Sequence, residues 1–251
     1  MNRIVDFVIG GTQKGGTTAL YRYLRAHPDI CMTRDQEGHF FDREWHFQST
    51  TVDYSKYHRL FDACPDRKLW GDKTPTYMYW YGAPKRIWQY NPKMKWILLL
   101  RNPIERAYSH WNMAVRRGMD ANIDFIDAIR NEPLQARNAL PLQDLRHSFV
   151  DRGFYSDQLR RVWFFFPKEQ TLILKWEAFK ANQNESLEDI CRFLGVEAPS
   201  GLSTGSAPAP AYAPMERRHR EYLAKMYENE IREVERLLDW DCSDWLSGTA
   251  V

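Results

Sequence analysis

The feature that most constrains the fold is a glycine-rich turn between an apolar run and an amphipathic segment near the start of the chain. Ile4-Val5-Asp6-Phe7-Val8-Ile9 is mostly β-branched or aromatic and runs into Gly10-Gly11, which is typical of a buried strand that enters a tight turn. From Thr17 onward, apolar residues recur at helical spacing as far as His27-Pro28, where proline ends a helix. The order strand, glycine loop, helix predicts an α/β fold.

Two further apolar runs indicate that the strands of this fold are parallel. Trp96-Ile97-Leu98-Leu99-Leu100 is nearly continuous, as expected of a strand covered on both faces, and a helix is predicted to begin at Pro103. The run Thr171–Leu174 follows a helical stretch at about Ser156–Phe166. Strands that alternate with helices predict a three-layer parallel sheet with helices on both faces.

Weaker patterns complete the expected order of elements. They predict a short strand at Lys68–Gly71 and helices at Ala83–Tyr90, Asn122–Arg130, Ser186–Leu194 and Met215–Leu238, the last with Tyr222, Met226, Ile231, Val234 and Leu238 on its inner stripe. Four prolines, with glycines and serines between them, predict a loop over Pro199–Pro214.

Size and charge narrow the class of the protein. The 251 residues, 43% of them hydrophobic, suffice for a single domain spanning 1–251. Lys and Arg number 35 against 33 Asp and Glu, which argues against a nucleic-acid binder. No apolar run approaches the roughly 18 residues of a membrane span, and the start of the chain has a strand pattern rather than a signal-peptide pattern. We therefore expect a cytoplasmic protein without a membrane span, and the sequence leaves its oligomeric state open.

The cysteines are Cys31, Cys64, Cys191 and Cys242. They are widely spaced and form no C-x-x-C pair, which argues against a zinc site and against a redox motif. For a cytoplasmic protein the expectation is that these residues are buried, reduced thiols.

The glycine loop itself predicts an anion site. Between a strand and a helix, Gly11-Thr12-Gln13-Lys14-Gly15-Gly16-Thr17-Thr18 would aim backbone N–H groups and the helix dipole at a phosphate. The nucleotide-triphosphate loop G-x-x-x-x-G-K-[ST] has its lysine directly after the second glycine. Thr17 occupies that place here, and Lys14 lies inside the loop, so the loop is expected to bind a different nucleotide.

The end of the second apolar run points the same way. A triphosphatase needs a carboxylate near the end of a neighbouring strand to hold Mg²⁺, whereas Trp96–Leu100 ends in Arg101. Arginine at this position favours a second phosphate over a metal, and Ser109 offers a hydroxyl donor to the same group. The residues therefore predict a nucleotide with separate anionic groups, bound without a metal.

These motifs resemble those of the sulfotransferases that use 3′-phosphoadenosine 5′-phosphosulfate (PAPS). Gly11–Leu20 is similar to their 5′-phosphosulfate loop, and Leu100–Ser109 is similar to their 3′-phosphate motif. Gln36-Glu37-Gly38-His39-Phe40-Phe41 stands where the heparan-sulfate-type and related bacterial carbohydrate sulfotransferases carry K-E-x-x-F-F. The resemblance covers most of the first 180 residues and implies the P-loop-like sulfotransferase fold, with PAPS as donor and no metal.

The resemblance also implies roles for individual residues. Lys14 would contact the bridging oxygen and the sulfuryl group; Gly15, Gly16, Thr17 and Thr18 would hold the 5′-phosphate; Arg101 and Ser109 would hold the 3′-phosphate; Glu37 would be the general base; and Lys73 would be the second active-site lysine. The late K-G-R loop of the heparan-type enzymes is replaced by Ser206–Met215. Arg217 and Arg218 either replace its cations or face solvent, and Tyr155 and Trp176 either line the cleft or belong to the core.

Sulfuryl transfer needs an in-line acceptor, a cation to stabilise the oxyanions, and a base. Lys14 and Lys73 are expected to offset negative charge on the sulfuryl and leaving phosphate oxygens. Glu37 is expected to take the acceptor proton, with Phe40 and Phe41 desolvating it and raising its pKa. The rival bases are His39, His46 and His110.

The sequence thus predicts a sulfotransferase that moves the sulfuryl group of PAPS onto a hydroxyl or amine. By family analogy the acceptor is a carbohydrate, while a lipid, a hydroxyacyl chain or another small alcohol stays open. The alternatives are a metal-dependent P-loop kinase and a non-catalytic module that binds a nucleotide or glycan.

Overall fold

The computed structural model describes residues 3–119, 123–199 and 212–247. Within them, five parallel strands form one sheet in the order β2-β3-β1-β4-β5. The strands are β1 Phe7–Gly11, β2 Ile30–Met32, β3 Leu69–Lys73, β4 Lys95–Leu100 and β5 Thr171–Lys175. The predicted parallel α/β sheet is confirmed.

The helices alternate with these strands along the chain. They are α1 Thr17–Ala26, α2 Ser55–His58, α3 Ala83–Tyr90, α4 Pro103–Arg116, α5 Phe125–Ala139, α6 Tyr155–Phe165, α7 Trp176–Ala181, α8 Gln183–Leu194, α9 Arg217–Leu238 and α10 Ser243–Leu246. None of the helices described is long and apolar enough to cross a membrane.

Alternate residues of the central strands cover the two faces of the sheet. On one face a single buried cluster joins β1 and β4 to α1 and α8 through Phe7, Ile9, Ile97, Leu99, Leu20, Leu24, Leu187 and Ile190. On the other face the ring of Trp96 packs against Phe166, with centroids 5.6 Å apart. Each such side chain contributes about 1.5–3 kcal/mol when it is removed from water, so the central strands are held from both sides.

The first strand begins and ends later than its sequence pattern predicts. It covers Phe7–Gly11, because the two glycines are needed inside the sheet rather than in the turn. A Cβ atom on Gly10 would lie 2.5 Å from the ring of Trp96, and one on Gly11 would lie 2.0 Å from the sulfur of Met78. Close packing at the end of β1 therefore requires glycine at both positions.

The chain forms two compact units, Met1–Leu100 with Arg161–Ala207, and Arg101–Arg160 with Pro208–Val251. We call the first the sheet unit, because it contains all five described strands, and the second the helical unit, because it contains α4, α5, α9 and α10. The assignment of 1–251 to one domain stays a prediction.

In the helical unit, the inner stripe of α9 differs from the predicted one. Ile231 and Val234 are fully buried as expected, but Tyr222 and Met226 are 41% and 38% exposed. Their places are taken by Leu223 and Tyr227, both 0% exposed. One residue along a helix is a rotation of about 100°, and the adjacent apolar pairs 222–223 and 226–227 did not reveal which member faces inward.

Other helix boundaries were mostly confirmed. Ala83–Tyr90 agrees at both ends, and Gly195 ends α8 in the left-handed conformation with φ 80°, as its sequence position predicts. The helix expected at Asn122–Arg130 begins after Asp124, whose side chain accepts a hydrogen bond from Ile126 N, and it continues to Ala139. Most of the loop expected at Pro199–Pro214 lies outside the described residues.

The expectation of reduced cysteines is wrong for two of the four. Cys31 of β2 and Cys64 form a disulfide across 33 residues of chain, while Cys191 and Cys242 are free and buried. Cysteine spacing could not reveal this pairing, because the two residues meet only once the segment after β2 folds back along the sheet. Disulfides are uncommon in reducing compartments, and the cytoplasmic location stays a prediction.

We expect the variant Cys31→Ala/Cys64→Ala to unfold more easily than the native chain, by about 2–4 kcal/mol in the free energy of unfolding. A cross-link over this distance lowers the entropy of the unfolded chain. Urea unfolding with and without reductant measures the effect. Reductant should destabilise the native protein and leave the double variant unchanged; equal unfolding midpoints in all four conditions would contradict the prediction.

Candidate active site

The glycine loop between β1 and α1 is bound to the end of β4. The backbone N–H and the hydroxyl of Thr12 both donate to the carbonyl of Leu99, at 3.0 and 2.9 Å. Gly15 N donates to the carbonyl of Thr12 at 2.9 Å. A Cβ on Gly15 would lie 2.5 Å from the Leu99 oxygen, so only glycine allows the loop to come this close to the strand.

The loop ends at the N-terminus of α1, which is open to an anion. Gly16 precedes the helix with φ 87°, and a Cβ there would lie 2.0 Å from the ring of Trp176. No side chain caps the helix, and its first turn contains no acidic residue. The N–H groups of such a turn attract negative charge. The sequence analysis expected Trp176 either to line the cleft or to belong to the core. In the structure its ring packs against the loop that leads into the helix.

Lys14, which the resemblance places at the sulfuryl group, is held in an unusual conformation. Its φ is 70°, in the left-handed region that non-glycine residues seldom adopt. Such strained residues concentrate at functional sites. His39 has the same property, with φ 47°.

Lys73 ends β3 directly beside the strand that leads into the glycine loop. Ile9 of β1 pairs with Lys73 in the parallel register, so the carboxyl ends of the two strands lie at the same edge of the sheet. The side chain of Lys73 is 2% exposed, and its Nζ donates to Glu37 Oε1 at 2.6 Å. The structure thus brings two of the predicted catalytic residues together.

The contacts continue beyond Glu37 through His39, one of the rival bases, and through Asp42, which the sequence analysis did not place in the site. Glu37 Oε2 lies 3.0 Å from His39 Nε2, and His39 Nδ1 lies 2.7 Å from Asp42 Oδ2. We call Lys73, Glu37, His39 and Asp42 the charge chain. Because both ring nitrogens of His39 face carboxylate oxygens, both must carry protons. The spacing of an acid, a histidine two residues later and an acid three residues after that is a signal that could have identified it.

The pKa values of the charge chain follow from these contacts. Burial alone would raise the pKa of Glu37, but the hydrogen bond from His39 and the charge of Lys73 outweigh it and hold that pKa at about 2. Burial alone would lower the pKa of His39, but its bonds to Asp42 and Glu37 raise it to about 9. At neutral pH Glu37 is therefore a carboxylate and His39 is an imidazolium.

This result corrects the expectation that Phe40 and Phe41 raise the pKa of Glu37. Both rings are buried, each with its centroid 5.0 Å from that of Tyr57, in an aromatic cluster. Burial does favour the neutral acid, but two cationic partners within hydrogen-bonding distance stabilise the carboxylate more strongly. The sequence motif contained the rings and did not reveal the cations.

The backbone that carries Glu37 is held by the two residues that flank Lys73 in the sequence, Asp72 and Thr74. Gly38 N donates to Asp72 Oδ1 at 3.3 Å and to Thr74 Oγ1 at 3.0 Å, and His39 N donates to Thr74 Oγ1 at 3.2 Å. Asp72 Oδ2 accepts hydrogen bonds from the hydroxyls of two buried tyrosines, Tyr57 at 3.1 Å and Tyr77 at 2.6 Å. Burial raises the pKa of Asp72. Asp72 and Thr74 therefore fix the position of the segment rather than face a substrate.

The other two rival bases, His46 and His110, are not members of the charge chain. His46 stacks on Phe40 with centroids 4.3 Å apart, and burial lowers its pKa. His110 is 1% exposed and lies in the helical unit, where its ring packs edge-on against Phe149.

The residues expected at the 3′-phosphate lie in the helical unit. Arg101 follows β4 directly, and its carbonyl accepts a 2.7 Å hydrogen bond from the hydroxyl of Tyr155. Tyr155 is 0% exposed, and Ser109, on α4, is 4% exposed. Asn102 caps α4 by accepting from Ile104 N. Tyr155 thus holds the backbone of Arg101 and is buried in this structure.

The two late arginines are on the surface of the helical unit. Arg217 pairs with Glu221 and Arg218 pairs with Glu216, each at 2.7 Å, and their side chains are 91% and 73% exposed. Both arginines therefore already have acidic partners on or beside α9.

Comparison with known proteins identifies the class to which this site belongs. A family model described as a sulfotransferase domain matches residues 5–237, and the chain therefore belongs to the sulfotransferase family. This confirms the family and the P-loop-like α/β fold expected from the motifs.

Particular relatives agree with this assignment. The crystal structure of a sulfotransferase from Alicyclobacillus acidocaldarius superposes with a TM-score of 0.81 at 28% identity, over 97% of this chain and 99% of that one. Mouse heparan sulfate glucosamine 3-O-sulfotransferase 3A1 is 30% identical over 190 residues, which are 76% of this chain and 45% of the relative. Human bifunctional heparan sulfate N-deacetylase/N-sulfotransferase 3 is 26% identical over 94% of this chain and 30% of its own length. The chain spans less than half the length of these two relatives.

Within the described ranges, no group of three or more His, Cys, Asp or Glu side chains could hold a metal ion.

The charge chain makes the stability of the protein decrease at both high and low pH. The pKa of His39 is raised above its usual 6.5, so its contribution is fully present below pH 6.5 and is lost as the pH rises through about 9. The pKa of Glu37 is lowered from its usual 4.5, so its contribution is present above pH 4.5 and is lost as the pH falls through about 2.

We expect NMR titration to show the ring protons of His39 changing near pH 9, because two carboxylates stabilise its charged form. Glu37→Gln and Asp42→Asn should each lower that pKa. His46, whose pKa is lowered by burial, provides the internal control in the same spectra. A midpoint near 6.5 that neither substitution moves would show that the charge chain does not form in solution.

Proposed function

We propose that the chain transfers the sulfuryl group of PAPS to a hydroxyl or amine of an acceptor, and that this acceptor is a carbohydrate. The observation that carries the proposal is the charge chain, which places a carboxylate and a buried lysine together at the sheet edge from which the glycine loop leaves. Family membership supports the reaction type. The two relatives described above are named for acting on heparan sulfate, which supports a carbohydrate acceptor.

The donor has two anionic groups, and each is assigned to its own set of residues. Lys14, with the backbone N–H groups of Gly15, Gly16, Thr17 and Thr18, would bind the 5′-phosphosulfate at the start of α1. Arg101 and Ser109 would bind the 3′-phosphate, with Tyr155 holding the arginine backbone through its 2.7 Å hydrogen bond. Arg217 and Arg218 would have to give up their acidic partners to reach the donor.

The proposed reaction uses no metal, because the residues that a P-loop kinase needs for Mg²⁺ and for the triphosphate are replaced in this chain. The position after β4 that would need a carboxylate for Mg²⁺ in a P-loop kinase is Arg101, and the position of the kinase lysine is Thr17. Membership of the sulfotransferase family adds to the case against the kinase alternative.

Glu37 would be the general base. As the acceptor oxygen forms its bond to sulfur, its proton passes to Glu37, and the bond between sulfur and the bridging oxygen breaks, with the electron pair leaving on adenosine 3′,5′-bisphosphate (PAP). Lys14 and Lys73 would offset the charge on the sulfuryl oxygens and on the departing phosphate. His39, kept protonated by Asp42, would hold Glu37 in place.

The pKa of about 2 makes Glu37 a weak base while Lys73 is bound to it. If Lys73 turns from Glu37 to the sulfuryl group when the donor binds, the carboxylate loses part of its stabilisation and its basicity rises. Donor binding would in this way activate the base only when there is a group to transfer.

Nucleotide selectivity tests the proposal that the donor is PAPS, bound without a metal. In the presence of EDTA, calorimetry should show that PAP binds more tightly than ATP or AMP, because two separate phosphate sites are engaged at once. Lys14→Ala should weaken PAP binding. ATP binding that requires added magnesium would overturn the proposal in favour of a kinase.

The variant Glu37→Gln tests the proposal that Glu37 is the general base. It should retain PAP binding and lose turnover of labelled PAPS with pooled glycans by about two orders of magnitude or more, because the amide cannot accept the proton. Glu185→Gln, the same change on the exposed face of α8, is the control and should keep native turnover. Normal turnover in Glu37→Gln would exclude this base, and PAP binding by the native chain without transfer to any acceptor would identify a binding module.

A further inference from the structure

A buried carboxylate on α9 contacts the start of α6, and the proposed transfer reaction does not use it. Glu230 Oε1 accepts a hydrogen bond from the backbone N–H of Ser156 at 2.7 Å, and Oε2 accepts one from the Ser156 hydroxyl at 2.8 Å. The backbone N–H of Tyr155 also donates to this carboxylate. Glu230 is 8% exposed, and both of its oxygens are committed to the first turn of one helix.

These contacts explain why a carboxylate can be buried at this position. Removing a carboxylate from water is costly unless polar groups satisfy it. The first N–H groups of a helix have no partner within that helix, and the helix dipole favours negative charge at this end. Glu230 therefore caps α6 from a neighbouring helix, and it fixes the backbone of Tyr155, the residue at which α6 begins.

The turn before α6 is held in the same way. Glu132 of α5 accepts hydrogen bonds from the backbone N–H groups of Val150 and Asp151, both at 2.7 Å. The hydroxyl of Tyr227, on α9, donates to the carbonyl of Val150 at 2.6 Å. Two carboxylates and a tyrosine thus fix the segment 150–156 from two helices. All of these residues belong to the helical unit.

The backbone position of Tyr155 matters because its side chain reaches the proposed 3′-phosphate site. Tyr155 is 0% exposed, and its hydroxyl donates to the carbonyl of Arg101 at 2.7 Å. In a closely packed interior, a ring cannot move independently of its own backbone. A shift at the start of α6 would therefore displace Arg101, the residue proposed to bind the 3′-phosphate.

The ring of Tyr155 supports the next residue of that segment as well. Asn102 Nδ2 donates to the carbonyl of Trp245 at 3.1 Å. The rings of Trp245 and Tyr155 lie edge to face, with centroids 6.4 Å apart. Tyr155 therefore supports two consecutive residues after β4, Arg101 directly and Asn102 through Trp245.

We propose that Glu230 is a positioning residue for the 3′-phosphate site: by capping α6 it places the hydroxyl of Tyr155, which in turn orients Arg101 toward the 3′-phosphate. Glu230 acts through Tyr155 and does not itself contact the nucleotide. The proposal rests on the proposed function for the identity of the donor, and it adds the residue on which the preference for a 3′-phosphate depends.

The test compares two nucleotides that differ in a single group. PAP carries a 5′-phosphate and a 3′-phosphate, whereas AMP carries only the 5′-phosphate. Calorimetry in EDTA measures the affinity of the native protein and of Glu230→Gln for each nucleotide. We expect the variant to lose about tenfold or more in affinity for PAP, because an amide offers one acceptor oxygen in place of two. It should keep native affinity for AMP, which also shows that it is folded.

A double-mutant cycle tests whether Glu230 acts through Tyr155. The variant Tyr155→Phe removes the hydroxyl and keeps the ring, and it should lose affinity for PAP and not for AMP. The double variant Glu230→Gln/Tyr155→Phe should then lose no more PAP affinity than the more affected single variant. Additive losses would show that Glu230 supports the fold in general and would overturn the proposal.

Two further variants provide a control and a milder test. Glu228→Gln makes the same change at an exposed position of α9 and should keep the native ratio of PAP affinity to AMP affinity. Ser156→Ala removes only the hydroxyl that donates to Glu230, and it should lower this ratio about threefold even if Glu230→Gln does not fold. A native ratio in Ser156→Ala, or an equal loss in Glu228→Gln and Glu230→Gln, would overturn the proposal.

Failure of this inference can be distinguished from failure of the proposed function. If the native protein prefers PAP and transfers label from PAPS, while Glu230→Gln keeps the native ratio, only the role of Glu230 is wrong. If the native protein binds PAP no more tightly than AMP, the donor with two separate phosphate sites is wrong, and the role of Glu230 is wrong with it.

Discussion

The ion pair between Lys73 and Glu37 is the interaction on which the candidate site depends. The lysine is almost completely buried, and a buried ammonium is costly unless a counter-charge accompanies it. Glu37 supplies that charge at 2.6 Å. The pair therefore satisfies Lys73 and also brings a segment from a different part of the chain to the end of β3.

Several contacts make this segment rigid enough to serve as an active-site wall. Asp72 and Thr74 hold its backbone N–H groups, and the Cys31–Cys64 disulfide closes the stretch of chain in which it lies. A carboxylate used for proton transfer must be kept within a fraction of an ångström of its partner. The same contacts leave Glu37 partly exposed, as a group that meets a substrate must be.

Much of this architecture can be predicted from the sequence, because strands, helices and the glycine loop depend on residues that are close together along the chain. Hydrophobic runs of strand and helix period located the sheet, and the glycine loop indicated an anion site at the start of α1. Other features could not be predicted, because they depend on side chains that are distant in the sequence and close in space. Tyr222 and Leu223 are both apolar, and only packing within the helical unit decides that Leu223 faces inward. The pKa of Glu37 was expected to rise, since the motif shows the adjacent rings and not the cation at the end of β3.

The sequence by itself determined the fold class and the family, and it predicted the glycine loop, Glu37 and Lys73 as parts of one site, because these inferences depend on residue type and spacing along one strand or helix. Only the tertiary structure decided that Glu37 is ionised, that His39 and Asp42 extend its network, and that two cysteines are joined. Electrostatic and covalent partners interact over a few ångströms in space. Lys73 and Glu37 are 36 residues apart in the sequence, and a sequence separation does not reveal whether two residues are close in space.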